Sequence, residues 1–233
     1  MMQVILDPPG DPEANMMADQ EISKQSVLLQ PPHPILRIYR WKRPAISLGR
    51  RQTLDELPPT LQGMGLSLVR RATGGGAVVH RADELTYALG FPRHLLPRGL
   101  AFRQLPKLFH QQLGEILVHR GWFSAQDISI SGSDPAGPAP LCFEAPACGD
   151  LIYRGKKLAG MAIRVWHDRI LLQGSLQGFS LQQDQLTDGV VLAFYRVFSE
   201  EIVRKERFEL SRVAPLASET SAYASSATSA KIA

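Results

Sequence analysis

The chain has 233 residues, 44% hydrophobic and 21% charged, with 19 glycines and 17 prolines; this is the composition of one globular domain, and it excludes a disordered or collagenous chain. Its two cysteines, Cys142 and Cys148, exclude a disulfide framework or a cysteine zinc site and favour a reducing, cytoplasmic setting, and no run reaches the ~18 apolar residues of a membrane span. The net charge is +4, but residues 36–81 hold nine Lys/Arg against Asp55 and Glu56, so this segment alone is +7 and the remainder is net acidic.

The first twelve residues carry no signal-peptide pattern and read as an N-terminal extension. Residues 13–30 predict a helix, stopped by Pro31-Pro32. Residues 35–41 alternate apolar and basic side chains, the period of a strand, and residues 45–49 read as its hairpin partner. Residues 53–63 suggest a short helix and loop, and residues 66–69 a strand that leads into a glycine run. Short strands follow at 77–79 and 85–89. Apolar residues at three- and four-residue steps from Phe102 to Leu117 predict an amphipathic helix over 102–120.

Residues 131–140 are a loop by composition. Residues 151–153 and 157–164, joined at Arg154-Gly155, predict a hairpin, and 170–176 the next strand. A second core helix is expected from Val190 to Ile202. Residues 214–233 are Ser/Ala/Thr-rich without periodicity and read as a disordered tail. Short consecutive strands with few helices favour an α+β fold with a single mixed sheet and flanking helices over a doubly wound one. The expected division is an extension at 1–12, one catalytic domain at 13–213 and the tail.

The strongest local signal is RRATGGGAVVH, Arg70 to His80. Three glycines in a row exceed what a turn needs and suit backbone that approaches a ligand, with N–H groups facing an anion. Arg70 and Arg71 just ahead bring guanidinium forks suited to carboxylate or phosphate. The segment fits neither the P-loop nor the dinucleotide fingerprint.

Extended to RRATGGGAVVHRADELTYAL, this block resembles the glycine-rich motif of the lipoate–protein ligase and octanoyltransferase superfamily, which also holds the biotin ligases. PEANMMADQEI resembles that family's opening helix and PILRIYRWKRPAISLGRRQ its first hairpin. CFEAPACGDLIYRGKKLAGMAIR and ILLQGSLQ resemble its central hairpin and lysine motif. Five blocks in the family's order span about residues 13–178.

The resemblance implies a mixed-sheet domain whose cleft holds a medium-chain acyl group. It assigns Lys157 in GKKLAG as the functional lysine, with Lys156 on the opposite side of the strand. It assigns substrate contacts to Arg70, Arg71, Thr73, Gly74, Gly75, Gly76, His80, Asp150, Gly160 and Ala162. Gly160 is expected to let a ligand approach the backbone.

Within the superfamily, Cys142 in CFEAP stands where one transferase branch keeps its nucleophile, and Cys148 has no motif support. The resemblance therefore implies an octanoyl or lipoyl transferase working through a Cys142 thioester, with Lys157 favouring the thiolate and moving the proton. Its donor would be acyl carrier protein or another octanoylated carrier. Its acceptor would be a lipoyl-domain protein of the glycine cleavage H protein or 2-oxoacid dehydrogenase E2 type. That reading needs no cofactor.

The triple glycine resembles the ligases more than the transferases, and Gln173 stands where relatives often have His. ATP-dependent lipoate–protein ligation through lipoyl-AMP, with ATP and Mg²⁺, is thus the second reading. A non-catalytic acyl or acyl-carrier binding module is the third. Nucleic-acid binding is not supported, because Tyr39 and Trp41 stand nearly alone among the basic residues. The six histidines show no ligand spacing, so no protein-held metal is expected.

Overall fold

The computed structural model describes residues 1–134, 141–143, 145–178 and 183–198. The expected tail at 214–233, the end of the last helix beyond 198 and most of the 131–140 loop lie outside the described residues.

In chain order the elements are β1 (Gln3–Leu6), α1 (Pro12–Leu28), β2 (Ile35–Tyr39), β3 (Ala45–Leu48), α2 (Pro59–Gln62), β4 (Ser67–Arg70), β5 (Val78–His80) and β6 (Leu85–Pro92). There follow α3 (Leu105–His119), β7 (Ile128–Ile130), β8 (Leu151–Tyr153), β9 (Lys156–Val165), β10 (Arg169–Leu176) and α4 (Gln183–Phe198). The α+β architecture is as the sequence implies. A seven-stranded mixed sheet runs β1-β2-β6-β10-β9-β8-β7, and a small sheet runs β4-β3-β5. No helix among the described residues is long and apolar enough to cross a membrane.

Helices cover both faces of the large sheet. On one face α3 and α4 pack together, with Phe109 and Phe194 stacked at 4.0 Å. Leu36, Leu89, Phe91, Leu113, Leu117 and Leu172 join them in the main core. On the other face α1 lies against β6 and β10. Its inward side is unusually polar, since Asn15, Asp19, Ser23 and Ser26 are all buried with Met16 and Ile22. The helix rests directly on the strand at Gly90, where a Cβ would stand 2.5 Å from the Ser23 Cα and 2.7 Å from its nitrogen.

The expected hairpin of 35–41 with 45–49 is not formed. β2 already has a partner on each side, parallel β1 and antiparallel β6. Trp41 bridges to Gly10, Pro44 follows, and the chain leaves for the small sheet. There β3 pairs parallel with β4 and antiparallel with β5. β1, inside the stretch read as an extension, and β7 are strands that the sequence reading lacks. The first core helix starts at Leu105, behind a single 3-10 turn at Phe102–Gln104, and the second starts at Gln183, earlier than expected.

Two details of the hairpin β8–β9 place the lysine. Arg154 and Gly155 take φ of 48° and 75°, the positive values that a tight primed turn requires. One extra residue on β9 opposes the Leu151/Ile152 step, a β-bulge. Simple alternation would set residues 157 and 160 on opposite faces. The bulge brings both to the same cavity.

Candidate active site

A cavity of about 280 Å³ opens between β9, β10 and the glycine loop. Its walls are largely apolar, with Met16, Val78, Phe143, Met161 and Ala162 among them. That size is at the small end for ligand pockets, which run ~300–1,000 Å³, and it suits a short apolar chain.

Lys157 stands in its wall, buried, while Lys156 is exposed. The Lys157 Nζ lies 2.6 Å from the Asp150 carboxylate, 2.8 Å from the Cys142 carbonyl oxygen and 3.2 Å from the Cys142 Sγ. The Phe143 ring lies 5.0 Å from the same ammonium. Cys142 is half-buried, and its N–H donates to the Ala77 carbonyl at 2.8 Å, which ties its segment to the strand leaving the glycine loop. Cys148 is exposed and does not line the cavity.

The carboxylate that holds Lys157 is itself held. The Ala147 N–H donates to Asp150 at 2.6 Å. Just before it, the Gly149 carbonyl accepts from His110 Nδ1 at 2.7 Å, which fixes that tautomer because a carbonyl can only accept. Nε2 lies 3.4 Å from the Tyr87 hydroxyl. His110 is fully buried, and burial lowers it to about 4 against the help of the Gly149 carbonyl and Asp150.

Gly160 has a use beyond the one expected. A Cβ there would stand 2.5 Å from the Lys157 Cε and 2.7 Å from its Nζ. The missing side chain makes room for the lysine, and Gly160 also lines the cavity.

The glycine loop is shaped by the residues expected to bind substrate. Arg71 donates to the Ser47 carbonyl and hydroxyl at 2.7 Å each, to the Gly74 carbonyl at 3.0 Å and to the Gly76 carbonyl at 2.8 Å. Burial lowers its guanidinium, with Cys142 and Tyr39 pulling the other way. Arg70 does not line the cavity; it donates to the carbonyls of Gly49 and Gln52 at 2.8 and 2.6 Å. Gly75 takes φ of 88°, and its carbonyl occupies the space where a Gly49 Cβ would be. Gly74, Gly75 and Gly76 all line the cavity.

His80 lines it too, but both ring nitrogens are engaged. Nδ1 lies 2.5 Å from Glu84 and Nε2 2.5 Å from the Ser47 hydroxyl, while the ring stacks on Trp41 at 3.8 Å. Burial lowers its pKa, with Glu84 pulling the other way. Thr73 is buried and outside the cavity lining, and its hydroxyl donates to the Gln173 Oε1 at 2.8 Å.

Gln173 opens onto a network that the sequence reading missed. Its Nε2 donates to Asp19 at 2.7 Å. Asp19 also accepts from the Tyr39 hydroxyl and from Arg37, at 2.8 Å each. Arg37 donates as well to Asp7 and to the Asn15 Oδ1. Burial pushes the Asp19 carboxyl up, while Arg37, Gln173 and Tyr39 pull it down. Asp19 and Gln173 are 154 residues apart, so no local spacing betrays the pair.

The architecture is that of the lipoate–protein ligases. The ATP-bound crystal structure of lipoate-protein ligase A superposes with a TM-score of 0.64 at 16% identity, over 84% of this chain and 85% of that one. The bipartite lipoate protein ligase of Thermoplasma acidophilum gives 0.56 at 16% identity, over 85% of each. The chain belongs to the lipoyl protein ligase A/B catalytic domain family, whose model matches residues 11–219.

Among its relatives is the octanoyltransferase LipM of Oceanobacillus iheyensis, 33% identical over 183 residues, which are 77% of this chain and 64% of that protein. Another is the octanoyltransferase LipM of an Exiguobacterium species, 32% identical over 213 residues, or 87% and 73%. The chain thus spans a little under two thirds of the length of the first of these relatives.

Proposed function

We propose that this chain is an octanoyltransferase, which passes an octanoyl group through a Cys142 thioester to a lysine of a lipoyl-domain protein. The observation that carries this reading is the saturated ammonium of Lys157. It has three N–H groups, and Cys142 Sγ, Cys142 O and Asp150 take them. An ammonium within hydrogen-bond distance of the sulfur stands where charge develops during acyl exchange. The names of the relatives support the same activity.

In loading, Cys142 Sγ attacks the thioester carbonyl of the donor, the carbon–sulfur bond to the carrier breaks, and the carrier leaves as a thiol with the proton from Cys142. In transfer, the acceptor amine attacks the Cys142 thioester, and its proton passes by way of Lys157 to the departing sulfur. Asp150 aims the Lys157 ammonium at the sulfur. The cavity holds the alkyl chain, and Arg71 holds the glycine loop against it. The donor is an acyl carrier protein or another octanoylated carrier, and the acceptor is a glycine cleavage H protein or an E2-type lipoyl domain. Free thiols at Cys142 and Cys148 suit the cytoplasm. No nucleotide or metal enters; ATP and Mg²⁺ belong to the ligase alternative, in which Lys157 would have to release Cys142 to face phosphate or carboxyl oxygens.

The test is an intact mass after incubation with octanoyl-acyl carrier protein and no ATP. One octanoyl group should add, and should map to the peptide holding Cys142. Cys142→Ala should abolish the adduct and Cys148→Ala should keep it. A product that requires ATP and forms equally with Cys142→Ala ends this reading in favour of the ligase.

A further inference from the structure

Folding pairs three of the nine basic side chains of segment 36–81 with carboxylates and engages two more with backbone carbonyls. Arg37 is buried against Asp7 and Asp19, and Lys42 and Arg43 pair with Asp11 and Glu13. Arg70 and Arg71 donate to carbonyls of the surrounding loops. Arg50 and Arg51 remain exposed, and among the described residues no ion pair involves them.

These two arginines line a second cleft, of about 980 Å³, whose other side is the far end of β9, Ile163 to Val165, and Trp166 just after it. From that side Arg164 donates to the Ala72 carbonyl at 3.1 Å and lies 4.4 Å from the Trp166 ring. Arg169, paired with Asp168, lies 4.5 Å from the same ring. Glu56, also in the cleft, is already held by the Thr53 N–H and hydroxyl at 3.0 and 2.9 Å. Burial lowers the Arg164 guanidinium, and repulsion from Arg50 and Arg169 adds to it. Arg50, Arg51 and Arg164, from two distant parts of the chain, therefore line one cleft. Gly74, Gly75 and Gly76 line this cleft as well as the acyl cavity.

We propose that the second cleft is the docking site of the acyl donor, an acidic carrier protein whose thioester arm is joined to it by a phosphodiester. The phosphodiester lies among Arg50, Arg51 and Arg164, and the arm crosses the glycine loop to bring its thioester carbonyl to Cys142. Arginine forks suit a phosphate oxyanion, and a positive cleft attracts an acidic carrier from a distance. The acceptor is a poorer occupant, because the tip that it must deliver is a lysine amine, cationic in solution, which three guanidiniums repel. This assignment rests on the reading of Cys142 as the nucleophile.

The experiment compares loading of Cys142 by octanoyl-acyl carrier protein with loading by S-octanoyl-N-acetylcysteamine, a neutral thioester without phosphate. In Arg50→Glu/Arg51→Glu the ratio of the two rates at low salt should fall by about tenfold or more, the scale of electrostatic steering. The salt dependence of carrier loading should flatten. Arg50→Gln/Arg51→Gln should lower the ratio less. A ratio that keeps its wild-type value in both variants overturns the proposal, as does a loss confined to the later transfer onto the lipoyl-domain lysine. Wild-type loading by the neutral thioester separates the two readings. If it fails, the nucleophile is wrong and the docking site falls with it; if it succeeds while the ratio is unmoved, only the docking site falls.

Discussion

The ammonium of Lys157 touches a thiol, a carbonyl and a carboxylate, and each contact depends on a specific neighbour. Gly160 leaves the space that its Cε and Nζ fill, and the bulge beside Leu158 turns its side chain toward that space. Lys156, one residue earlier, is exposed. Lys157→Ala should therefore slow the proposed octanoyl transfer by ~10²–10⁴, the range for losing a positioned proton-transfer group. Lys157→Arg should rescue poorly, because a guanidinium stays protonated and is too wide for the gap above Gly160. Lys156→Ala should stay close to wild type, as exposed substitutions usually do. Steady-state rates for the three variants decide the matter: equal losses in the two alanine variants would mean that Lys157 has no special part. The choice between the two lysines was legible in the sequence through the resemblance. The reason for Gly160 was not, because it depends on where a lysine side chain folds back over its own strand.

Among elements, α1 shows where sequence reading succeeds and where it stops. Its span was legible from good helix formers and the terminating prolines. Its buried face was not: Asn15 and Asp19 look like solvent-facing residues until Arg37, Tyr39 and Gln173 supply their partners from other elements, while Ser23 and Ser26 donate to the Gln20 and Ser23 carbonyls of their own helix. The same limit explains the hairpin expected between β2 and β3. Alternation marks a strand but does not name its neighbour, and β1, four residues long, had taken the open side of β2. The contact of α1 with the sheet predicts a cost at Gly90. Its Cβ would meet the backbone of Ser23, which cannot rotate away as a side chain could. Gly90→Ala should lower unfolding free energy by about 1–3 kcal/mol, the usual penalty for overpacking. Gly132→Ala, where a Cβ meets nothing within 4 Å, serves as the control. Urea titrations that give both variants the same midpoint would show that α1 can shift away from β6 without penalty.

For the whole molecule, the supports of the site tie its chemistry to the stability of the fold. His110 on α3 holds the Gly149 carbonyl, Gly149 precedes Asp150, and Asp150 holds Lys157. Burial favours the neutral ring, whose Nε2 lies 3.4 Å from the Tyr87 hydroxyl. An unfolded histidine takes up a proton near pH 6.5, whereas folded His110 does so only near pH 4. Between those values the unfolded state binds more protons, so stability falls as pH falls. This contribution is fully present above about pH 6.5 and gone below about pH 4; the difference corresponds to roughly 3 kcal/mol. His80, lowered by burial too, acts with the same sign below pH 6.5. Asp19, raised by burial, acts with the opposite sign as it loses its proton on the way up from its usual value of 3.8. His110→Asn isolates the one histidine, because it removes that titration and leaves the other two. Unfolding free energies measured from pH 7 to pH 4 should decline less steeply in the variant, by up to about 1.4 kcal/mol per pH unit. Parallel curves for wild type and variant would show that His110 is not held neutral in the folded protein.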